Sequence, residues 1–469
     1  MNTFEIQPAK LLSSKTHIIP GQLRVDELFF QVPLNYSNSS SGTITLFARR
    51  ANKHEVPVCP PEEEAPPKPY MVYLEGGPGF GNREPQEHPL TRPAISRGYQ
   101  CLFIDHRGTG LSTPVSTEML RLKAKGTAET VKYLKLMRQD NTVRDCEAVR
   151  KCLTESWPDH KKKWSIFGQS YGGFISLSYL SMHPAGLREV FLTGGLAPVG
   201  KSADQVYQAT FARTARRNEQ YFQKFPEDKE ALRQIISSIE DRGGSVDLPA
   251  GGSLTTPRLL TIGLAFGAHG GFDNIHHILL HLKSSLDQFG YFTRASLQPL
   301  EALTPFDTNI IYAILHEAIY CDGPGSASNW AAHRVGQSLS PFSWLKHDEQ
   351  YKASSQSKDY FFSGEMIFPL HFQTFPELLP LGDVAKVLAA CKDWPPLYDE
   401  DQLQKNEVPV YAASYVEDMY VDYQFAKETA AMCRGTKTFE SNMLHHNAVR
   451  AKTEEVMHNL FNLRDDVLD

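Results

Sequence analysis

The sequence has no long hydrophobic run. Nowhere in its 469 residues does it reach the ~18 consecutive apolar residues of a membrane span, so no membrane partner is expected. It also lacks any C-x-x-C pair. Its seven cysteines are odd in number and widely spaced, from Cys59 to Cys433. That pattern builds neither a disulfide framework nor a thiolate zinc site, and it fits reduced thiols in the cytoplasm. No clustered ligand set appears, so neither a metal nor another cofactor is expected. Positive charge is in slight deficit, with 48 Lys and Arg against 54 Asp and Glu, for a net charge of -6. The only dense basic run, Lys161-Lys162-Lys163, stands just before a strand and reads as a solvated entrance to it. Nucleic acid is therefore not an expected partner. Met1 to Leu12 lacks an apolar stretch behind a basic start, so no secretory signal is expected. The glycosylation patterns at Asn35 and Asn38 then read as a polar turn. Internal repeats are absent, and Pro57 to Pro69 reads as a Pro/Glu-rich surface loop.

What is present is the composition of an ordinary globular protein, 41% hydrophobic and 22% charged. Leu23 to Val32 and Gly42 to Arg49 alternate apolar residues at strand spacing. Short, wholly apolar runs follow, each ending in a glycine-rich turn. Tyr70 to Leu74 leads to Gly76-Gly77-Pro78-Gly79, and Gln100 to Ile104 leads to Asp105 to Gly110. Trp164 to Phe167 leads to Gly168-Gln169-Ser170-Tyr171-Gly172, and Val190 to Thr193 leads to Gly194-Gly195. Strands apolar on both faces belong in a central sheet covered by helices. Asn141 to Leu153 carries helix-spaced apolar residues between them, so the class is α/β. From Lys201 to Trp394 the rhythm gives way to helical and aromatic segments, such as Ala209 to Phe225, Lys229 to Glu240 and Thr308 to Tyr320. It returns at Val408 to Ala413, and a final helix is expected around Ala448 to Leu463. The simplest division is a core in residues 1–200, with its N-terminal β segment, a mainly helical cap inserted at 201–400, and the rest of the core at 401–469.

The turn around Ser170 is a G-x-S-x-G pattern, weak alone but here set between a strand and a helix. A nucleophile at such a turn takes a strained backbone, and small neighbours keep it free of clashes. The helix after it directs free N–H groups toward the reacting centre. An oxyanion hole needs two backbone donors. The N–H of Tyr171 and that of Gly77, on the turn after an earlier strand, fit the two positions. In an α/β-hydrolase the acid and the base follow the nucleophile in that order. Beyond residue 400 the acids after the returning strand are Glu417, Asp418 and Asp422, and the pattern alone does not choose among them. The histidines there are His445, His446 and His458, the first two adjacent before the last helix.

With these residues assembled, the chain resembles the longer form of the proline iminopeptidases (prolyl aminopeptidases) of the α/β-hydrolase class. The matching pieces include Gly76 to Gly79, Asp105 to Ser112, Asp145-Cys146-Glu147, the elbow with Gly173, His316 to Tyr320, Gly364-Glu365-Met366, Asp418 to Asp422 and His446-Asn447. The resemblance implies an α/β-hydrolase core, with a mostly parallel sheet flanked by helices and a helical cap. It implies a serine exopeptidase that releases N-terminal proline from short peptides, with Ser170, Asp418 and His446 as catalytic residues. It also places acids for the substrate amine at Glu317 and Glu365, because an ammonium leaving water needs a nearby countercharge. Two positions depart from the family pattern, Glu75 where His is common and Ala448 where Gly is common. A broader aminopeptidase or an esterase on the same scaffold is the competing enzyme reading. A non-catalytic binding protein that kept the fold is the other. A homo-oligomer stays open.

Overall fold

The computed structural model describes residues 5–56, 58, 66–346 and 360–465. Most of the predicted loop Pro57 to Pro69, and Cys59 with it, lies outside them. The strands are β1 (Lys10–Ile19), β2 (Leu23–Pro33), β3 (Thr43–Lys53), β4 (Tyr70–Leu74), β5 (Gln100–Ile104), β6 (Trp164–Gln169), β7 (Leu187–Thr193), the short pair β8 (Val246–Asp247) and β9 (Ser253–Leu254), β10 (Val410–Tyr415) and β11 (Thr436–Ser441). Nine of them form one sheet in the order β1-β2-β3-β5-β4-β6-β7-β10-β11. The first three pair antiparallel, and β3 meets β5 antiparallel. From β5 to β11 every pairing is parallel. The fold is that of an α/β hydrolase.

Strands β4, β5 and β6 are buried along their whole length. Each is apolar on both faces because helices cover both sides, which is why they appear in the sequence as runs and not as alternations. Helices Gln139–Leu153 and Tyr171–Met182 pack against each other beside them. Between β7 and β10 the described chain is helical apart from the β8–β9 hairpin. It opens with the 22-residue helix Ala203–Lys224, started by a capping box in which Ser202 and Gln205 satisfy each other's backbone N–H groups.

The structure departs from the sequence expectations in several places, including β11 and the β8–β9 hairpin, for which none was stated. Strand β1 was missed, because nearly all of it is exposed and its apolar residues do not alternate. It is held by backbone pairing to β2, and Lys10 and Lys15 keep the sheet edge polar. Strand β3 runs on to Lys53. The helix expected over Thr308 to Tyr320 is an α-helix at Ile310–Leu315 followed by a 3-10 turn at Glu317–Tyr320. The last helix is two pieces, Ala448–Ala451 and Thr453–Asp465.

The loops at the sheet's upper edge are fixed by one buried charge network. The Arg107 guanidinium, wholly inaccessible, donates to both oxygens of Asp145 at 2.7 and 2.6 Å. It also donates to the carbonyls of Leu34, Leu136 and Pro33, while the Tyr36 hydroxyl donates to Asp145 at 2.8 Å. This ties the turn after β5 to helix Gln139–Leu153 and to the end of β2. A buried pair stripped of one partner leaves an uncompensated charge, at a cost of about 3–5 kcal/mol. Asp145→Asn should therefore lower unfolding stability by about that much, read from the urea midpoint. A loss under about 1 kcal/mol would show that the network is not what fixes these loops.

Candidate active site

The proposed nucleophile, oxyanion donors, acid and base all sit on turns at the C-terminal ends of parallel strands, where open α/β sheets leave a crevice. Gly77 follows β4, Ser170 follows β6, Asp418 follows β10 and His446 follows β11. Ser170 takes φ 55° and ψ −122°, a left-handed backbone that a non-glycine residue adopts only under constraint. Its N–H donates to the Thr193 carbonyl at 3.0 Å, and its carbonyl accepts from Gly173 at 2.8 Å. The next turn of chain passes so near β4 that a Cβ on Gly172 would lie 1.9 Å from the Leu74 carbonyl oxygen. Only glycine fits there. The N–H of Tyr171 is the first of the helix Tyr171–Met182 and belongs to the donors a helix leaves without an internal acceptor.

Geometry separates the three acids that the sequence left open. Glu417 forms an ion pair with Arg213 at 3.0 Å. Asp422 caps the helix Tyr423–Met432, accepting from the N–H groups of Gln424 and Phe425. Asp418 is buried. Its Oδ1 accepts from the N–H groups of Tyr420 and Val421 at 2.9 and 3.1 Å, which leaves Oδ2 for His446 Nδ1 at 2.7 Å. The histidines separate as well. The exposed His458 sits near the Asn462 amide. His445 stacks edge-on against His269, and burial beside Arg217 holds its pKa down at about 4. His446 is buried. Burial opposes its charged form, but the Asp418 carboxylate outweighs burial and holds the imidazole above its ordinary value.

The His446 loop is anchored from the helical segment. The His446 N–H donates to the Gly267 carbonyl at 3.2 Å, and the Asn447 side chain accepts from the His269 N–H at 2.8 Å. The Tyr420 ring meets the imidazole edge-on at 4.6 Å. Gly194, at φ 53°, is so close that a Cβ there would come within 3.1 Å of His446 Nδ1.

A cavity of about 420 Å³ opens over these turns, lined by Gly77, Ser170 and His446 and walled by Phe80, Phe306 and Tyr312. Glu365 also lines it, half-buried, and accepts from the Tyr312 hydroxyl at 2.9 Å. Enclosure raises its pKa to about 7, although the neighbouring His446 pulls the other way. Glu317 is placed differently. It lines a separate small cavity of about 20 Å³ with Ser328 and Trp330. There its Oε1 accepts from the Ala332 N–H at 2.9 Å, at the start of helix Ala331–Gln337, whose own N-cap residue, Trp330, supplies no side-chain bond. The side chain acts as a helix cap. Of the two acids expected at the amine, the structure brings only Glu365 to the Ser170 cavity.

The sequence analysis does not single out several residues of this cavity, among them Phe80, Phe306, Tyr312, Arg83 and Arg450. Arg450 donates to Glu75 at 2.6 Å, and Glu75 in turn accepts from the Gly76 N–H at 2.8 Å. The acid at position 75 thus ties the turn carrying Gly77 to the helix after His446. A charge at 75 was itself the available signal, since a buried carboxylate demands a partner. Among the described residues no group of three or more His, Cys, Asp and Glu side chains is placed to hold a metal ion. Nor is any described helix long and apolar enough to cross a membrane.

Because Asp418 is what holds the His446 pKa up against burial, Asp418→Asn should bring it below the ~6.5 of a free imidazole. An NMR titration of the ring would show this, and an unmoved value would remove Asp418 as the cause.

Comparison with known proteins agrees with this geometry. A sequence profile described as alpha/beta hydrolase fold matches residues 69–234. A proline iminopeptidase of Aspergillus aculeatus is 38% identical over 464 residues, covering 99% of this chain and 99% of that protein. A proline iminopeptidase of Aeromonas sobria is 38% identical over 459 residues, covering 97% of this chain and 100% of that protein. With relatives matching at this level from end to end, the chain belongs to the proline iminopeptidase family of α/β hydrolases.

Proposed function

We propose that the protein is a serine exopeptidase that releases N-terminal proline from peptides through an acyl-enzyme. The observation that carries this reading is a single cavity lined by Ser170, His446 and the half-buried Glu365. It offers a nucleophile, a base and an anionic group inside one enclosure. The named activity of the two full-length relatives supports it.

In this mechanism His446 Nε2 takes the proton from Ser170 Oγ as that oxygen attacks the prolyl carbonyl carbon. The N–H groups of Gly77 and Tyr171 receive the oxyanion. His446 then hands its proton to the departing peptide nitrogen, and the C–N bond breaks. Water, deprotonated by the same ring, attacks the ester and frees proline. Asp418 fixes the ring's tautomer and steadies its charged form. The cyclic secondary amine of the substrate, protonated in solution, meets the Glu365 carboxylate, while the rings of Phe80, Phe306 and Tyr312 enclose the pyrrolidine. The segment 201–400 acts as a cap that restricts access to short peptides. The six described cysteines are unpaired, which supports a reducing compartment, the cytoplasm.

Ser170→Ala should abolish proline release from prolyl-β-naphthylamide and labelling by a fluorophosphonate, with the fold intact by circular dichroism. Retained release would remove Ser170 as nucleophile. A panel of aminoacyl-naphthylamides beside a p-nitrophenyl ester separates the prolyl reading from a broader peptidase or an esterase.

The pH dependence follows from two groups. His446 acts as a base only when neutral, and Glu365 holds a cation only when ionised. Both conditions fail as pH falls through the neutral range, where the Glu365 pKa stands at about 7 and that of His446 above the ordinary ~6.5. The acid limb of kcat/KM should therefore approach a slope of two for a free-amine substrate. Glu365→Gln should reduce it to one and raise KM. An unchanged limb would take Glu365 out of amine binding.

A further inference from the structure

Besides Tyr312, five ionisable side chains line the Ser170 cavity: Glu75, Arg83, Glu365, His446 and Arg450. Glu365 stands among Tyr312, Tyr320 and Tyr420, each of which feels its charge. Both arginines act on the buried His88 and Tyr73, behind the turn that carries Gly77. Glu75 answers only one of them. It pairs with Arg450 at 2.6 Å, and that arginine is itself one-third exposed. Arg83 is exposed at the rim, with no hydrogen bond or ion pair among the described residues. The cavity thus holds two guanidinium groups, of which Glu75 pairs with one, and Glu365 lines the same enclosure.

A surface cation normally needs no explanation. This one lines the same cavity as Ser170 and Glu365, and a cation-binding acid together with a free guanidinium suits the two charges of a very short peptide. Such a substrate is a zwitterion, with a cation at its N-terminus and a carboxylate one or two residues beyond the scissile bond. An extended chain advances about 3.5 Å per residue. The carboxylate of a di- or tripeptide therefore falls within about 4–8 Å of the bond being cut. A longer peptide carries its charge out of the cavity. Guanidinium is suited to this task, because its planar fork matches a carboxylate.

We propose that Arg83, with Arg450 beside it, binds the free C-terminal carboxylate of the substrate, so that the enzyme prefers prolyl di- and tripeptides to longer or C-terminally blocked ones. The proposal rests on the prolyl exopeptidase reading and adds what lies beyond the scissile bond. Arg83 is a specificity residue in this account, since it touches the leaving portion and not the reacting atoms.

The test compares Pro-Ala with Pro-Ala-amide, which differ only in the terminal charge. The wild type should favour the acid in kcat/KM by roughly five- to tenfold, the range for one charge-assisted contact at a solvent-washed rim. That preference should shrink with added salt. Arg83→Gln should cut the ratio to about twofold or less, what Arg450 alone retains, and Arg83→Lys should keep more of it. Arg450 is the poorer position to vary, because its loss also leaves Glu75 buried and unpaired. Equal rates for acid and amide in the wild type, or a ratio unmoved by Arg83→Gln, would overturn the proposal while leaving the prolyl reading in place. No proline release from either peptide would overturn both.

Discussion

The site depends on one backbone constraint, the left-handed conformation at Ser170. A residue with a side chain pays on the order of 1–3 kcal/mol to sit there. The surroundings offset this. Buried strand β6 leads into the turn, helix Tyr171–Met182 leads out, and hydrogen bonds to Thr193 and from Gly173 clamp it from both sides. Glycine at 172 lets the chain brush past the Leu74 carbonyl. In return the hydroxyl is presented at the crest of the sheet, directly before the free N–H of a helix start. The other groups need only be brought to that point, and parallel strands do so by ending side by side.

His446, the proposed base, reaches that point by a longer route. The Asp418–His446 pair spans the turns after β10 and β11, and its anchors at Gly267 and His269 come from the helical segment between β7 and β10. That segment therefore does more than cover the cavity. It fixes the backbone of the loop that carries His446 and supplies Glu365 and Tyr312 to the same enclosure. The His446 loop and the Glu365–Tyr312 pair thus share one set of supports, so a change in the helical segment is expected to disturb both.

Much of this was legible in the sequence because burial on both faces leaves a strong mark. Strands β4 to β7 and β10 appear as apolar runs, and the glycine turns after them mark where the chain must pass close to itself. Strand β1 left no such mark, since an exposed edge strand is specified by its partner and not by its own side chains. Among Glu417, Asp418 and Asp422 the spacing alone could not choose. What distinguishes them is which one is already committed to an arginine, which to a helix start and which to two backbone donors that aim its free oxygen. Glu317 and Glu365 looked alike for the same reason. Both lie in apolar or aromatic sequence, but one accepts from the first turn of Ala331–Gln337 and the other lines the cavity that holds Ser170. Arg83 and Arg450 carried no motif at all, and only the cavity wall groups them.

The covalent intermediate tests the account most directly. Acid quenching during turnover of a prolyl ester, followed by digestion and mass spectrometry, should find the mass of one prolyl residue on the peptide that contains Ser170, at the serine itself. A prolyl group on another side chain, or none under conditions where proline is being released, would contradict it.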